Sequence, residues 1–316
     1  MFERFGGPEV LEYREVPDLL PKKGNAIVRT QAIGLNFADI YRRKGNYHLA
    51  GDPPYIAGYE AAGIIESVDD PDFKPGQRVG FADSPFANAE KVLVRIEKLI
   101  PLPDDISAEV AASLLLQGLT AQYLVRDSHH LQAGEDVIIH AAAGGVGLLL
   151  VQMAKLLGAR VLGLTSSRDK AEMAMAAGAD GVALYSGNWV DAAKAFSRTG
   201  KGVDVAYDSV GSTLMDSFEA VRHGGHVVFF GMAGGNPAPV DPRMLMDTSK
   251  SLTGGDLWNV LTSGVERRRR SAELFDWVRQ GKLKVHVSAR CPLAEGARAH
   301  TFLESRNSSG KVLLIP

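Results

Sequence analysis

Across residues 1–105 the apolar positions fall in short runs cut by Gly and Pro: "LEYREV", "NAIVRTQAIG", "YEAAGIIESV", "GQRVGFA" and "EKVLVRI". Runs of this length separated by turn residues predict strands of a compact, partly closed β-fold. One piece, "NFADIYRRKG", breaks the rhythm with helical spacing. "ISAEVAASLLLQGLTAQYLV" then predicts a long helix with Ser107 as its N-cap, bridging into a second region. There the pattern changes: apolar strands "DVIIHA", "RVLGLT", "GVALY", "VDVAYDS" and "HVVFFG" alternate with helical segments over 145–157, 169–178, 188–198 and 211–223. Strand and helix in strict alternation predict a parallel, doubly wound sheet, because each crossover needs a helix to return the chain to the same sheet. The tail carries helical spacing over 265–280 and 293–305 and closes on the strand-like "GKVLLIP".

The first strand of that second region ends in a turn of small residues, Ala142-Ala143-Gly144-Gly145-Val146-Gly147, followed by a helix and then a strand. This is the setting of the dinucleotide fingerprint, with Ala at its first position. Gly144 would let the backbone approach a pyrophosphate and Gly147 would let helix and strand pack closely, while the helix N-terminus supplies N–H groups and positive dipole. About 20 residues on, an NAD site presents a carboxylate to the ribose. This chain instead reads Thr165-Ser166-Ser167-Arg168-Asp169-Lys170. Hydroxyls and cations suit a 2′-phosphate, so the residues favour NADPH.

Composition narrows the chemistry. The 316 residues suit two domains, and 45% hydrophobic and 23% charged residues with a net charge of −2 describe an ordinary globular protein without the basic excess of a nucleic-acid binder. A single cysteine, Cys291, can form no internal disulfide and cannot supply a structural zinc site. With no signal-peptide core and no run of about 18 apolar residues, a cytoplasmic protein without membrane or nucleic-acid partners is expected.

Taken together, "FGGPEVL", "GLNFADIYRRKGNY", "AAGIIESV", "KPGQRVGF", "GLTAQYL", "HAAAGGVG", "VAYDSVG", "AHTFLES" and "GKVLLIP" resemble the zinc-free quinone oxidoreductases of zeta-crystallin type, in the medium-chain dehydrogenase/reductase superfamily. The resemblance implies an α/β protein: a GroES-like β-rich catalytic domain from residues 1–118 and 261–316, a Rossmann NADP-binding domain over 119–260, and NADPH in the cleft. It implies Asn36, Tyr41 and Tyr47 as catalytic residues, with Phe37 beside the nicotinamide. Thr120 and Tyr123 would lie near the nicotinamide face, Gly144, Gly145, Val146 and Gly147 at the pyrophosphate, and Ser166, Ser167 and Lys170 at the 2′-phosphate. Tyr185 would pack near the adenosine, followed by Ser209, then Gly231, Met232 and Ala233, with Arg306 as a further cofactor contact. Zinc-dependent cousins have Cys at the position of Asn36 and His-Glu where this chain has Tyr59-Glu60, so no metal is expected. A homodimer paired through its Rossmann sheets is implied as well. In "SLTGGDLWNV" and "ADSPFANAEKV" the chain departs from the family pattern.

Other motifs read as structural. "ERRRR" at 266–270 is balanced by Glu266, Glu273 and Asp276 at helical spacing and reads as a solvated helix face. His129-His130 and His140 lack neighbouring ligands in the sequence, and Asp39 and Glu60 could pair with each other or with Arg42 or Arg43. Tyr47 and Tyr55 lie in a loop where a phenol could orient a carbonyl or donate a proton. Without a Lewis acid, the expected chemistry is hydride transfer from NADPH to a quinone or related conjugated carbonyl. A 2-alkenal, enone or enoyl-thioester double-bond reductase is the alternative, and an NADPH-binding protein with a sensing, structural or RNA-binding role is a third.

Overall fold

The computed structural model describes residues 1–316 and divides into two compact units. A β-rich unit comprises Met1–Leu119, Leu261–Gly281 and Val285–Pro316; an α/β unit comprises Thr120–Val260 with Lys282–Lys284. The first unit begins with β1 (Asn25–Leu35), α1 (Phe37–Arg43), β2 (Glu60–Val68), β3 (Arg78–Ala82), β4 (Lys91–Arg95), β5 (Ile100–Pro101) and α2 (Ala108–Tyr123). The α/β unit follows with β6 (Asp136–Ile139), α3 (Gly145–Leu156), β7 (Arg160–Thr165), α4 (Arg168–Ala176), β8 (Gly181–Leu184), α5 (Trp189–Phe196) and β9 (Val203–Asp208). It ends with α6 (Leu214–Ala220), β10 (Val221–Phe229), α7 (Pro242–Thr248), β11 (Ser251–Gly254) and α8 (Leu257–Val260). The chain returns to the β-rich unit as α9 (Gly264–Arg279), β12 (Val287–Pro292), α10 (Gly296–Glu304) and β13 (Lys311–Ile315).

In the β-rich unit β1 is the hub of a seven-stranded sheet. Its length lets β2 pair antiparallel along one edge while β4 takes Asn25–Arg29 and β13 takes Ile33–Leu35 on the other. Val28, Ile33, Ile65, Phe81, Val94 and Leu314 fill the core beneath it. Ser107 caps α2 as its sequence predicts, the Val110 N–H donating to Oγ at 3.2 Å. The α/β unit is a six-stranded sheet in the order β11-β10-β9-β6-β7-β8, parallel at every pairing. Its order reverses direction at β6 and β9, where the carboxyl ends of neighbouring strands part and leave room for a ligand.

Several elements differ from the sequence pattern. "LEYREV" alternates like a strand but finds no partner edge: residues 12–18 are exposed, tied down by Glu12 N–H to the Met1 carbonyl and Tyr13 Oη to Glu90. α6 stops at Ala220, and β10 starts at Val221, its pairing with β9 interrupted by a bulge before His226. β11 and β12 carry too little apolar alternation to announce themselves and form because β10 and β13 offer them edges. The arginine run on α9 is not wholly solvated. Arg267 and Arg270 are buried; Arg267 donates to the carbonyls of Glu97 and Leu261 at 3.1 Å, while Glu266 binds Arg269 and Arg270.

Candidate functional site

In the α/β unit the predicted cofactor residues gather at the carboxyl ends of the strands. The turn from Ala141 to Gly147 follows β6, Ser166 to Lys170 follow β7, Tyr185 follows β8, Ser209 follows β9, and Gly231 to Ala233 follow β10. Gly144 is the N-cap of α3 and the N–H groups of Gly145, Val146 and Gly147 form its open first turn. A Cβ on Gly147 would collide with the Ala141 carbonyl and the Ala142 backbone, so glycine is required for helix and strand to pack this closely. The left-handed residue of the turn is Ala141, at φ 48°, and not the fingerprint position Ala142. Ser167 caps α4 by accepting the Lys170 N–H at 3.4 Å, leaving the exposed Ser166 hydroxyl beside it. The loops after β9 and β10 are zipped together by the Ala233 N–H on the Ser209 carbonyl at 3.1 Å.

A buried polar cluster beneath this edge escapes the sequence. His140, fully buried, has Nδ1 3.2 Å from Tyr185 Oη and Nε2 3.0 Å from Ser217 Oγ. Asp208 accepts from the N–H groups of Val210 and Gly211 and from the hydroxyls of Thr213 and Ser217, at 2.8–3.0 Å. Burial works against its charge, but His140 and these donors outweigh it and hold the carboxyl below its ordinary range. Tyr185 Oη also accepts the Ala141 N–H at 2.9 Å, which ties the strained residue of the glycine turn to the cluster. Thr120 and Tyr123 lie on the last turn of α2, both buried; a Cβ on Gly255 would meet the Tyr123 ring at 2.6 Å, so the unusual "SLTGGD" segment passes close to that tyrosine.

The β-rich unit holds the remaining candidates. Asn36 is the N-cap of α1, its N–H donating to Asp39 Oδ2 at 2.9 Å, and its side-chain amide donates inward to Glu60 Oε2 at 2.9 Å and the Gly34 carbonyl at 3.1 Å. Its oxygen accepts from Lys311 Nζ at 2.9 Å and Gln117 Nε2 at 3.2 Å. With every hydrogen-bonding position of the amide used, the direct catalytic contact that the resemblance implies for Asn36 would require breaking this set. Glu60 pairs with Lys311 at 2.6 Å rather than with Arg42 or Arg43, and Asp39 pairs with Arg42 at 3.2 Å. Burial raises the Asp39 pKa, and Arg42 and the Asn36 N–H offset part of that rise.

Phe37, Tyr41 and Tyr47 do come together: ring centroids are 6.3 Å apart for Phe37–Tyr41 and for Tyr41–Tyr47. The Arg42 guanidinium lies 5.0 Å from the Tyr47 ring centroid and 3.5 Å from that of Tyr59. Tyr55 belongs elsewhere, packed on Phe2 and Phe5. The 83–90 loop contains two left-handed residues, Asp83 and Phe86, with Asp83 anchored by Lys98 at 2.8 Å. Arg306 is exposed and left-handed in the connection from α10 to β13. Lys311 and Gln117 carry no sign in the sequence: a lysine opening an apolar strand gives no local hint that its partner lies 251 positions away.

The family descriptions "Alcohol dehydrogenase GroES-like domain" and "Zinc-binding dehydrogenase" match residues 22–136 and 145–272. A quinone oxidoreductase of Pseudomonas aeruginosa is 40% identical, over 100% of this chain and 98% of its own length. A 2-haloacrylate reductase of a Burkholderia species is 37% identical, over 98% of this chain and 96% of its own. The structure of Escherichia coli quinone oxidoreductase complexed with NADPH superimposes with a TM-score of 0.96 at 38% identity, covering 100% of this chain and 98% of that one. A parallel doubly wound sheet with a glycine turn after its first strand, a GroES-like companion unit and identity along the full length lead to one assignment: the chain belongs to the quinone oxidoreductase family of the medium-chain dehydrogenase/reductase superfamily.

Proposed function

We propose that the protein is an NADPH-dependent reductase that passes hydride, without a metal, to a quinone or related conjugated carbonyl. The observation that carries this reading is the carboxyl edge of the parallel sheet, where an open helix N-terminus, a glycine that no Cβ could replace and a hydroxyl-and-lysine set after β7 converge. These residues fit NADPH: the first turn of α3 would hold the pyrophosphate, and Ser166, Ser167 and Lys170 the 2′-phosphate. When bound, NADPH supplies the hydride equivalent. Tyr41 and Tyr47 would orient the acceptor oxygen, and one proton added with one hydride converts a quinone to a hydroquinone. Positioning by these groups should account for much of the rate. The residues at Asn36 and Tyr59-Glu60 do not fit a catalytic metal, since the Glu60 and Asn36 oxygens already serve the Lys311 ammonium. Edge strand β11, with Leu252 exposed, supports a homodimer paired through it, and the lone cysteine supports a cytoplasmic location.

Steady-state rates with NADPH and NADH against a panel of ortho-quinones, para-quinones, enones and alkenals test the reading. NADPH should be preferred about tenfold or more, and Lys170→Ala should erase that preference, because a charge-assisted hydrogen bond contributes about 1.5–3 kcal/mol. Equal efficiency with both cofactors refutes the NADPH assignment. Tight NADPH binding without turnover on any acceptor would instead mark a binding protein.

The similarity to a 2-haloacrylate reductase favours a second reading, reduction of a conjugated carbon–carbon double bond. That chemistry needs a proton at the α-carbon, so Tyr41→Phe or Tyr47→Phe should abolish enone reduction, whereas quinone reduction, which loses only the orientation of the acceptor oxygen, should fall about tenfold.

A further inference from the structure

Lys311 opens β13 with its side chain 1% exposed, and its ammonium donates to Glu60 Oε2 at 2.6 Å and Asn36 Oδ1 at 2.9 Å. A buried ion pair is a weak source of stability, since an apolar pair of like volume often serves as well. The geometry gives this one a different task. An Asn at a helix N-cap ordinarily turns its side-chain oxygen to an N–H of the first turn. At α1 that oxygen is held from the core side, accepting from Lys311 Nζ at 2.9 Å and Gln117 Nε2 at 3.2 Å. Glu60 Oε1 accepts the Leu116 N–H at 2.7 Å, and Gly34 must be glycine because a Cβ would collide with the Ala112 carbonyl and the Glu60 carboxylate. The end of β1, the start of β2, the middle of α2 and the start of β13 are therefore joined through the cluster of Asn36, Glu60 and Lys311. From that point Asp39 takes the Asn36 N–H at 2.9 Å and binds Arg42, which in turn lies against the Tyr47 ring.

We infer that Lys311 is a positioning residue for the reduction: its ammonium fixes Asn36 at the entry of α1 and, through Asp39 and Arg42, sets where Tyr41 and Tyr47 stand. The inference rests on the proposed reductase reading of those two tyrosines. It differs from a counter-ion role, in which Lys311 would do no more than neutralise Glu60.

Full-length wild type is compared with Lys311→Met and with Lys311→Met/Glu60→Gln. Lys311→Met should lower kcat about tenfold or more, as small misplacements of reacting groups do. The KM for NADPH should stay within about twofold, the pattern of a loss confined to the transition state. Amide hydrogen exchange should rise over residues 36–48 and stay unchanged over 145–156. The double variant removes both charges, so its unfolding midpoint should recover while kcat stays low; it also carries the test if the single variant does not fold. Wild-type kcat and exchange in Lys311→Met overturn the inference. So does a double variant that recovers kcat together with stability, because Lys311 would then be a counter-ion only. A wild-type protein inactive on every acceptor would remove the reductase reading, and the exchange comparison would still decide whether Lys311 fixes α1.

Discussion

Tyr185 joins two features that are separate in the sequence. Its hydroxyl accepts the Ala141 N–H and lies against His140, so one phenol holds the left-handed residue of the glycine turn to the buried cluster around Asp208. Alanine at positive φ stores backbone strain that the surroundings must over-determine. Tyr185→Phe keeps the ring and deletes the acceptor, leaving the Ala141 N–H without its partner at a cost of about 1–2 kcal/mol. If the turn seats the pyrophosphate, that cost should fall on NADPH affinity: KM up about fivefold to thirtyfold with kcat little changed. Steady-state kinetics with thermal melting separates the outcomes, since lower stability at unchanged KM would make Tyr185 a structural tyrosine.

At the scale of elements, α3 and its turn show what local chemistry dictates. The fingerprint assigns Gly147 the close packing of helix on strand and Gly144 the approach to the ligand, and the surroundings differ accordingly: a Cβ on Gly147 meets the backbone of Ala141 and Ala142, whereas one on Gly144 approaches only Ala141, its carbonyl at 3.1 Å. Gly147→Ala should therefore destabilise the α/β unit by about 1–3 kcal/mol, the usual range for overpacking, and weaken NADPH binding. Gly144→Ala should cost much less stability, so that any effect it has falls on NADPH binding; thermal melting and fluorescence titration with NADPH on both variants check the order. β6, α3 and β7 were legible because periodicity, turn and cap lie within about thirty residues of one another. β11 and β12 were not, because exposed or polar strands such as Ser251–Gly254 exist only by virtue of the edge they join. "LEYREV" fails for the converse reason: it has the alternation and lacks the edge.

Over the whole molecule, the parts hidden from sequence include pairings of charged and polar side chains within the β-rich unit: Glu60 with Lys311, Asp83 with Lys98, and Arg43 with Glu304 and His300. The last of these predicts a pH response. His300 is fully buried on α10, and its Nδ1 lies 3.0 Å from Arg43 Nη1, so Nδ1 must accept and the ring must be neutral. Burial first, and then the Arg43 charge, push its pKa from 6.5 down to about 3. Burial likewise lowers His140, against the opposing pull of Asp208. A histidine depressed in the folded state contributes stability that is fully present above the unfolded pKa of 6.5 and is lost as pH falls, because the unfolded chain binds the proton first. Each such group steepens the loss by up to about 1.4 kcal/mol per pH unit. Glu266, which hydrogen bonds from Arg269 and then Arg270 hold at about 2, acts in a separate window, between 4.5 and that value. His300→Gln offers Arg43 an amide oxygen without a titrating proton. It should lower stability at pH 7.5 and flatten the slope between pH 6.5 and 5 by up to one proton, as read from denaturant midpoints of the full-length protein. Glu266→Gln should leave that interval unchanged; an unaltered slope in the His300 variant would show that the ring does not carry the proton.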